Sequence, residues 1–246
     1  MTSIGILGVG GRMGKAIARL LESGDGTSLA GGADLGDDAA ALAAKSDVLV
    51  DFTAPNGLQA HLDAAAAAGT PILIGTTGLK PEHHRAIEEA AKRVAVLQTA
   101  NTSIGVNVLR ALVEQAARRL GPDWDIEILD VHHRDKLDSP SGTALLLGAS
   151  ANAGRGAASN IENNRFDRMQ EGPHAREPGG IYYASLRGGS AAGDHLVLFA
   201  GDGERIELGH RAESRAIFAR GAVKAARWLA GKPAGRYTMA DVLGIG

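Results

Sequence analysis

Short apolar runs alternate with alanine-rich stretches through the first hundred residues of this chain. Apolar runs predict strands and alanine-rich stretches predict helices; the strands are 4–7, 28–33, 48–52, 71–74 and 94–97, and the helices are near 13–22, 57–68 and 82–93. Alternation of this kind is typical of a parallel, doubly wound sheet, and strands with few charges fit a sheet covered on both faces. We therefore predict an α/β fold.

The pattern changes beyond residue 100. A helix predicted at 106–120 ends at Gly121-Pro122, and a polar stretch rich in Gly, Asn and Arg occupies 154–178. Short glycine-containing connections join three strand-like segments, which favours antiparallel pairing among them; the segments are 181–187, 195–200 and 205–210. A last helix, 214–230, precedes a Pro/Gly turn and a short tail. We predict a first domain of residues 1–100 and 214–246, with an inserted α+β domain at 101–213.

A glycine-rich turn directly follows the first predicted strand and opens the first helix. Its glycines at positions 8, 11 and 14 permit a tight turn and the close approach of a pyrophosphate. In this place the turn favours dinucleotide binding and a Rossmann-like first domain, although its spacing differs by one residue from the commoner G-x-G-x-x-G. The candidate cofactor-binding residues here are Gly8, Gly10, Gly11, Arg12 and Met13.

Asp34 ends the second predicted strand, about twenty residues beyond the glycines. An acid at this place accepts hydrogen bonds from the adenine ribose hydroxyls, although an aspartate that only caps a turn would look the same. Together with the glycine turn, we favour ribose binding. Leu35 follows it and supplies no cation for a 2′-phosphate, so the choice between NADH and NADPH stays open.

A dense run of chemically active residues spans 132–144, with the sequence HHRDKLDSPSGTA. Apolar residues before it predict a strand, and an Ala/Leu-rich stretch after it predicts a helix, so the run is a strand-to-helix loop. Ser141, Gly142 and Thr143 are then at the helix N-terminus, where free N–H groups and the helix dipole attract a carboxylate or phosphate. We interpret the adjacent His132 and His133, with Lys136, as a site that binds an anion and moves a proton. No further ligands are evident nearby at workable spacing, so we predict no metal.

Composition limits the other classes of function. The 246 residues carry a formal charge of −2 and no cysteine. We therefore expect no nucleic-acid or membrane partner, no disulfide and no cysteine nucleophile. The N-terminus is a first strand rather than a signal peptide, and no apolar run approaches the roughly 18 residues of a membrane helix. We expect a soluble, cytoplasmic protein.

The run at 132–144 resembles the signature of the dihydrodipicolinate reductase family, His-His-x-x-Lys-x-Asp-Ala-Pro-Ser-Gly-Thr-Ala, with Ser139 as its one departure. The resemblance implies NAD(P)H-dependent reduction of 4-hydroxy-tetrahydrodipicolinate in lysine and diaminopimelate biosynthesis. It implies that His132 and Lys136 are catalytic and that His133, Ser141, Gly142 and Thr143 bind the substrate. The division of proton transfer between His132 and Lys136 stays open.

The resemblance also implies further cofactor contacts and an oligomeric state. It places Arg12 near the adenosine ribose. Other strand ends, which alone would be ordinary turns, gain a role: one segment lies near the adenosine half and two line the nicotinamide, and their residues are Phe52, Thr53, Gly75, Thr76, Thr77, Ala100, Asn101 and Thr102. The family usually has Phe where this chain has Thr102. A homotetramer, formed by pairing the sheets of the inserted domain, is implied as well.

Two alternatives stay open at this point. Another two-domain NAD(P)-dependent amino-acid or sugar dehydrogenase would explain the first hundred residues equally well, but not the run at 132–144. A regulator that senses NAD would need a surface for DNA or a partner, and the charge balance offers none.

Overall fold

A computed structural model describes residues 1–24, 26–156, 164–165 and 175–245, with the backbone alone for 164 and 165. The chain forms two compact units. Unit 1 is Met1–Ile104 with Ala216–Gly246, and unit 2 is Gly105–Arg215. The predicted boundaries, after residues 100 and 213, each lie a few residues before the observed ones.

The described residues of unit 1 form one parallel sheet. Numbered in chain order, its strands are β1 (Thr2–Leu7), β2 (Thr27–Ala33), β3 (Val48–Asp51), β4 (Ile72–Ile74), β5 (Ala95–Gln98) and β11 (Gly235–Tyr237). The strand order is β11-β5-β4-β3-β1-β2, and every pair is parallel. The predicted Rossmann-like sheet is confirmed.

Helices cover both faces of this sheet because successive side chains of a strand point to opposite sides. They are α1 (Arg12–Leu21), α2 (Ala39–Ala44), α3 (Leu58–Ala68), α4 (Pro81–Ala91), α7 (Ala216–Leu229) and α8 (Met239–Leu243). Val48 and Val50 pack in one core with α1, α7 and α8, whereas Leu49 packs in a second core with α2, α3 and α4.

Three short elements of unit 1 were not predicted. Helix α2 begins after Asp38, whose side chain accepts hydrogen bonds from the N–H groups of Ala40 and Ala41. Strand β11 and helix α8 lie in the segment that was expected to be a Pro/Gly turn and a short tail. None of the three changes the layer arrangement.

Unit 2 is a mixed sheet with helices on one face. The described strands are β6 (Asp125–His132), β7 (Asn164–Arg165), β8 (Ile181–Arg187), β9 (Asp194–Gly201) and β10 (Glu204–Arg211), and the helices are α5 (Ile104–Leu120) and α6 (Gly142–Gly154). The strand order is β10-β9-β6-β8-β7. Ile126 and Ile128 of β6 pack with Phe199 of β9 and with Val113 and Leu147 of the two helices.

The predicted antiparallel pairing of the three late strands is wrong for β8. Strand β6 lies between β8 and β9, parallel to β8 and antiparallel to β9, and only β9 and β10 pair as predicted. The long β6 has apolar residues in register with both neighbours, so it takes the centre of the sheet.

Most of the polar stretch 154–178 lies outside the described residues. No helix in the described part of the chain is long and apolar enough to cross a membrane.

Candidate active site

The predicted cofactor residues follow the carboxyl ends of neighbouring strands in unit 1. The glycine turn follows β1, and other candidates follow β3, β4 and β5. The order β2-β1-β3-β4-β5 reverses direction between β1 and β3, and an open α/β sheet binds ligands in the crevice at that switch point. The sheet therefore brings these loops to one edge.

The glycine turn packs too closely for side chains at two of its positions. Gly8 has φ +85°, and a Cβ on it would lie 3.0 Å from Cγ2 of Thr53 and 3.1 Å from the carbonyl oxygen of Phe52. A Cβ on Gly14 would lie 2.2 Å from the carbonyl oxygen of Gly8, so α1 begins in close contact with the turn. A tight glycine turn that leads directly into a helix N-terminus fits a pyrophosphate at the start of α1.

Asp34 lies beside this turn. Its two carboxylate oxygens are 3.0 and 3.2 Å from the backbone nitrogen of Gly10. Leu35 is fully exposed and adds no charge. The structure thus places Asp34, the candidate ribose-binding acid, in contact with the candidate phosphate-binding turn. The sequence had related the two only by their spacing.

Asp51 holds together the loops after β3 and β4. This fully buried carboxylate accepts bonds from Thr53 Oγ1 (2.6 Å), Thr76 Oγ1 (3.1 Å) and His61 Nδ1 (2.8 Å). Burial would raise the pKa of Asp51, but the bonds from His61 and Thr53 outweigh it and the pKa is lowered. The sequence assigned no role to His61, which lies ten residues from Asp51 and gives no local signal.

Thr102 does not use its hydroxyl for a ligand. The side chain is 3% exposed, and its Oγ1 donates to the carbonyl oxygen of Phe218 in α7 at 2.7 Å. Gly221 of α7 is also close, since a Cβ there would lie 1.8 Å from the carbonyl oxygen of Thr102. Any contact of Thr102 with a cofactor would therefore be through its backbone. Nearby, Asn101 Oδ1 accepts from Ser103 N at 2.8 Å.

In unit 2, the candidate catalytic loop connects β6 to α6 as predicted. Strand β6 ends at His132, and α6 begins at Gly142. Ser141 is the N-cap of α6, and its Oγ accepts from the N–H of Ala144 at 3.1 Å. The first N–H groups of the helix accordingly face the loop that carries the histidines.

His132 is buried beside a carboxylate. Its Nδ1 is 2.9 Å from Oδ2 of Asp130, and its ring centroid is 5.1 Å from that of His195 in an edge-on arrangement. Burial lowers the pKa of His132 from its ordinary value, Asp130 opposes this effect, and Lys136 and Arg187 add to the lowering.

Lys136 and His133 have partners of their own. Lys136 Nζ is 2.7 and 2.8 Å from the carboxylate oxygens of Asp138. The hydrogen bond from Lys136 lowers the pKa of Asp138. Arg215 Nη2 is 3.1 Å from Nε2 of His133, whose Nδ1 is 3.9 Å from Asp135. The loop thus carries the cationic side chain of Lys136, and another cationic side chain, Arg215, contacts it at His133.

Three residues beside His132 were missed by the sequence analysis. Asp130 precedes it by two positions, and Arg187 and His195 come from β8 and β9. His195 Nε2 is 3.0 Å from Ser141 Oγ, and burial lowers the pKa of His195 to about 4, so this ring is neutral at pH 7. A signal did exist in β6, because Asp130 and His132 continue the alternation of Ile126 and Ile128 that faces the core.

The expectation that nothing near His132 offers metal-ligand atoms is corrected by the structure. Asp130, His132 and His195 place one such atom each within 4.8 Å of one another. However, Arg187 Nη1 lies 2.9 Å from Oδ2 of Asp130. The carboxylate already has a cationic partner, which a metal ion would have to displace, so we assign this cluster no metal.

Comparison with known proteins decides the family. The model described as dihydrodipicolinate reductase, N-terminus, matches residues 2–102, and the model of its C-terminus matches residues 105–243. The 4-hydroxy-tetrahydrodipicolinate reductase of Zymomonas mobilis subsp. mobilis is 54% identical, over 98% of this chain and 97% of that protein. The chain belongs to the dihydrodipicolinate reductase family.

A further relative agrees with this membership, and a solved structure shares the fold. The 4-hydroxy-tetrahydrodipicolinate reductase of Methylocella silvestris is 46% identical, over 98% of this chain and 96% of that protein. The dipicolinate-bound dihydrodipicolinate reductase of Paenisporosarcina sp. TG-14 has the same fold, with a TM-score of 0.78, 22% identity and 98% coverage of both chains. The N-terminal region of the dihydrodipicolinate reductase family is the nucleotide-binding part, and here it coincides with most of unit 1.

Proposed function

We propose that this protein catalyses the NAD(P)H-dependent reduction of 4-hydroxy-tetrahydrodipicolinate to tetrahydrodipicolinate, a step of diaminopimelate and lysine biosynthesis. The observation that carries the proposal is the identity of 54% to a 4-hydroxy-tetrahydrodipicolinate reductase along nearly the whole of both chains. A dehydrogenase for another amino acid or for a sugar would not explain that match.

The proposed chemistry divides between the two units. Unit 1 would hold the reduced nicotinamide cofactor through the loops at the carboxyl ends of its strands, and unit 2 would hold the cyclic dicarboxylate. The cofactor supplies a hydride to the conjugated imine that remains after loss of water. The reduced substrate then needs one proton, which the protein must deliver.

His132 and Lys136 are the proposed proton-transfer residues. His132 has Nδ1 bound by Asp130, which leaves Nε2 as the nitrogen that carries a proton to the substrate. Lys136 is the second donor or stabilises the developing negative charge. Its ammonium group donates to both carboxylate oxygens of Asp138, which holds the side chain in the loop.

The substrate carboxylates are proposed to bind at the start of α6. The N–H groups of Gly142 and Thr143, the hydroxyl of Ser141 and the ring of His133 are the candidate contacts. Ser141 also caps the helix and bonds to His195, so its side chain has a structural role in addition.

A coupled assay tests the proposed function. The product of a dihydrodipicolinate synthase reaction is supplied with NADH or NADPH, and oxidation of the reduced nicotinamide is followed by its absorbance. We expect turnover that depends on the synthase product. Absence of turnover with both cofactors, for a folded protein, would contradict the proposed function.

We expect NADH to be used at least as well as NADPH. Asp34 favours free ribose hydroxyls and repels a 2′-phosphate, while the exposed Leu35 provides no cation. Arg12 can still contact a phosphate, so dual use is expected. Leu35→Arg should shift kcat/KM toward NADPH, because a guanidinium makes charge-assisted bonds to phosphate. A strong preference of the unmodified protein for NADPH, unaffected by Leu35→Arg, would show that the ribose site is misplaced.

A planar pyridine dicarboxylate should inhibit competitively with the substrate, since it presents two carboxylates without the reducible bond. Thr143→Val should weaken this inhibition by removing a hydroxyl at the start of α6. Ser141→Ala should weaken it too, and should also cost about 1 kcal/mol of stability through the lost N-cap. Inhibition constants and thermal melting separate the two effects. Equal inhibition of the unmodified protein, Thr143→Val and Ser141→Ala would show that the substrate carboxylates do not bind at the start of α6.

A homotetramer in the cytoplasm is proposed. One face of the unit 2 sheet packs on helices, while the opposite face carries half-exposed apolar side chains, including Leu129 paired with Leu196. Leu186, on that same face, is 54% exposed. A second copy covering this face would remove that apolar surface from water. Analytical ultracentrifugation should give four chains, and Leu129→Asp should give smaller species.

A further inference from the structure

We propose that Asp130 and Arg187 are positioning residues for proton transfer: Asp130 fixes the orientation of the His132 imidazole and favours its protonated form, and Arg187 connects Asp130 to the loop that carries Lys136. This inference rests on the proposed function, in which His132 donates a proton. Neither residue belongs to the signature run at 132–144.

Asp130 is buried and has three partners. It is 1% exposed, and its carboxylate oxygens lie 2.9 Å from His132 Nδ1, 2.5 Å from Ser185 Oγ and 2.9 Å from Arg187 Nη1. An ionised carboxylate accepts hydrogen bonds only, so His132 must present Nδ1–H to it. Proton exchange with a substrate is thereby assigned to Nε2.

A glycine packs closely against Nε2 of His132. Gly193 has φ +150°, and a Cβ on it would lie 2.9 Å from His132 Nε2. Any side chain at this position would press on the nitrogen that does not bind Asp130. Glycine at position 193 is therefore compatible with proton exchange at Nε2, whereas a larger residue would block it.

Arg187 connects the two proposed proton donors. Its Nη1 contacts Asp130 behind His132, and its Nη2 donates to the carbonyl oxygen of Asp138 at 2.7 Å. The Asp138 side chain in turn binds Lys136. One guanidinium thus links the carboxylate behind the imidazole to the segment that holds the lysine, and a change at Arg187 should act on both.

The charges around His132 predict effects of opposite sign. Asp130 on the same strand favours the imidazolium, whereas Lys136 from the loop and Arg187 from β8 disfavour it; the neighbouring His195 on β9 is neutral at pH 7. A histidine that donates a proton works in its protonated form, so the rate falls as pH rises through its pKa. Removing the negative charge of Asp130 should move this fall in rate to lower pH, and removing the positive charge of Arg187 should move it to higher pH.

Asp130→Asn and Arg187→Gln test the proposal, with the pH dependence of kcat and ¹⁵N NMR of the labelled His132 ring as readouts. We expect Asp130→Asn to lower kcat on the order of 10²-fold or more, since loss of the carboxylate that sets a catalytic histidine's tautomer costs up to about 10⁴-fold in serine proteases. KM values should change little. The His132 titration should shift downward in Asp130→Asn and upward in Arg187→Gln.

Matched variants separate positioning from general structure. Asp130→Glu keeps the charge and should restore much of the pH profile. Arg176→Lys is the control, because Arg176 is a similarly buried arginine, 14% exposed against 17% for Arg187, paired with Asp125 and Glu127 on the same β6. It should leave the profile unchanged.

The outcomes distinguish this proposal from the proposed function. An unchanged His132 titration and nitrogen pattern in Asp130→Asn, or equal shifts in Arg176→Lys, would overturn it. If Asp130→Asn does not fold, Asp130→Glu and Arg187→Gln give the same comparison. If the unmodified protein shows no reductase activity, the proposed function fails, whereas the NMR titrations still decide whether Asp130 and Arg187 control the His132 ring.

Discussion

Replacing His132 by glutamine should lower kcat by about 10²–10⁴-fold while KM changes far less, because a general acid acts in the transition state. Glutamine keeps a hydrogen-bonding side chain of similar length but has no proton to give. Steady-state kinetics with the synthase product and NADH measure the effect.

His84→Gln is the control for this substitution, because His84 is an exposed histidine of α4 in unit 1. His84→Gln should leave kcat and KM unchanged. If His132→Gln raises KM and leaves kcat unchanged, His132 binds the substrate and the neighbouring His133 becomes the better proton donor.

Lys136→Ala should remove most activity and leave NADH binding intact. Loss of a charge-assisted donor at the transition state costs roughly 2.7–4 kcal/mol by analogy with oxyanion-hole deletions, or about 10²–10³-fold in rate. The proposed cofactor-binding residues belong to unit 1 and Lys136 belongs to unit 2, so we expect the affinity for NADH to be unchanged. Titration with NADH and measurement of kcat/KM test the two halves of the prediction.

Lys92→Ala is a matched control, since Lys92 also pairs with a carboxylate, Glu89, at 2.7 Å, but on the exposed surface of unit 1. Such surface pairs contribute about 0–1 kcal/mol to stability, so activity should hold. A near-normal kcat/KM in Lys136→Ala would remove Lys136 from the mechanism.

The α/β layer of unit 1 was predictable because its strands and helices have strong local patterns. The pairing in unit 2 was not. The short connection between β8 and β9 favoured a hairpin, but β6, which ends at His132, long before β8 begins at Ile181, lies between them. Connection length is a local property, whereas pairing is decided by which strands share apolar registers. Helix α2 could have been found, because Asp38 before an alanine run is an N-cap signal.

The sequence predicted those site residues that lie close to one another along the chain. The run at 132–144 brought His132, Lys136 and Ser141 within one loop, and the structure keeps them there. Arg187 and His195 reach His132 only through register, since Arg187 is opposite His132 in β8 and His195 is opposite Asp130 in β9. A single sequence does not contain that register, so these two partners appear only in the folded sheet.

The return of the chain to unit 1 through α7 sets an order for folding during synthesis. Residues 105–215 form a continuous unit, which leaves the ribosome complete. The first five strands of the unit 1 sheet are synthesised earlier, but unit 1 is complete only when residues 216–246 have followed. Until then one face lacks a helix that contributes buried residues to its core, namely Ala219, Ala222, Ala225, Ala226 and Leu229. The inserted unit can therefore fold first. A nascent or truncated chain ending before residue 216 covers this sheet face with α1 alone, and the apolar surface left exposed is of the kind that chaperones and proteases recognise.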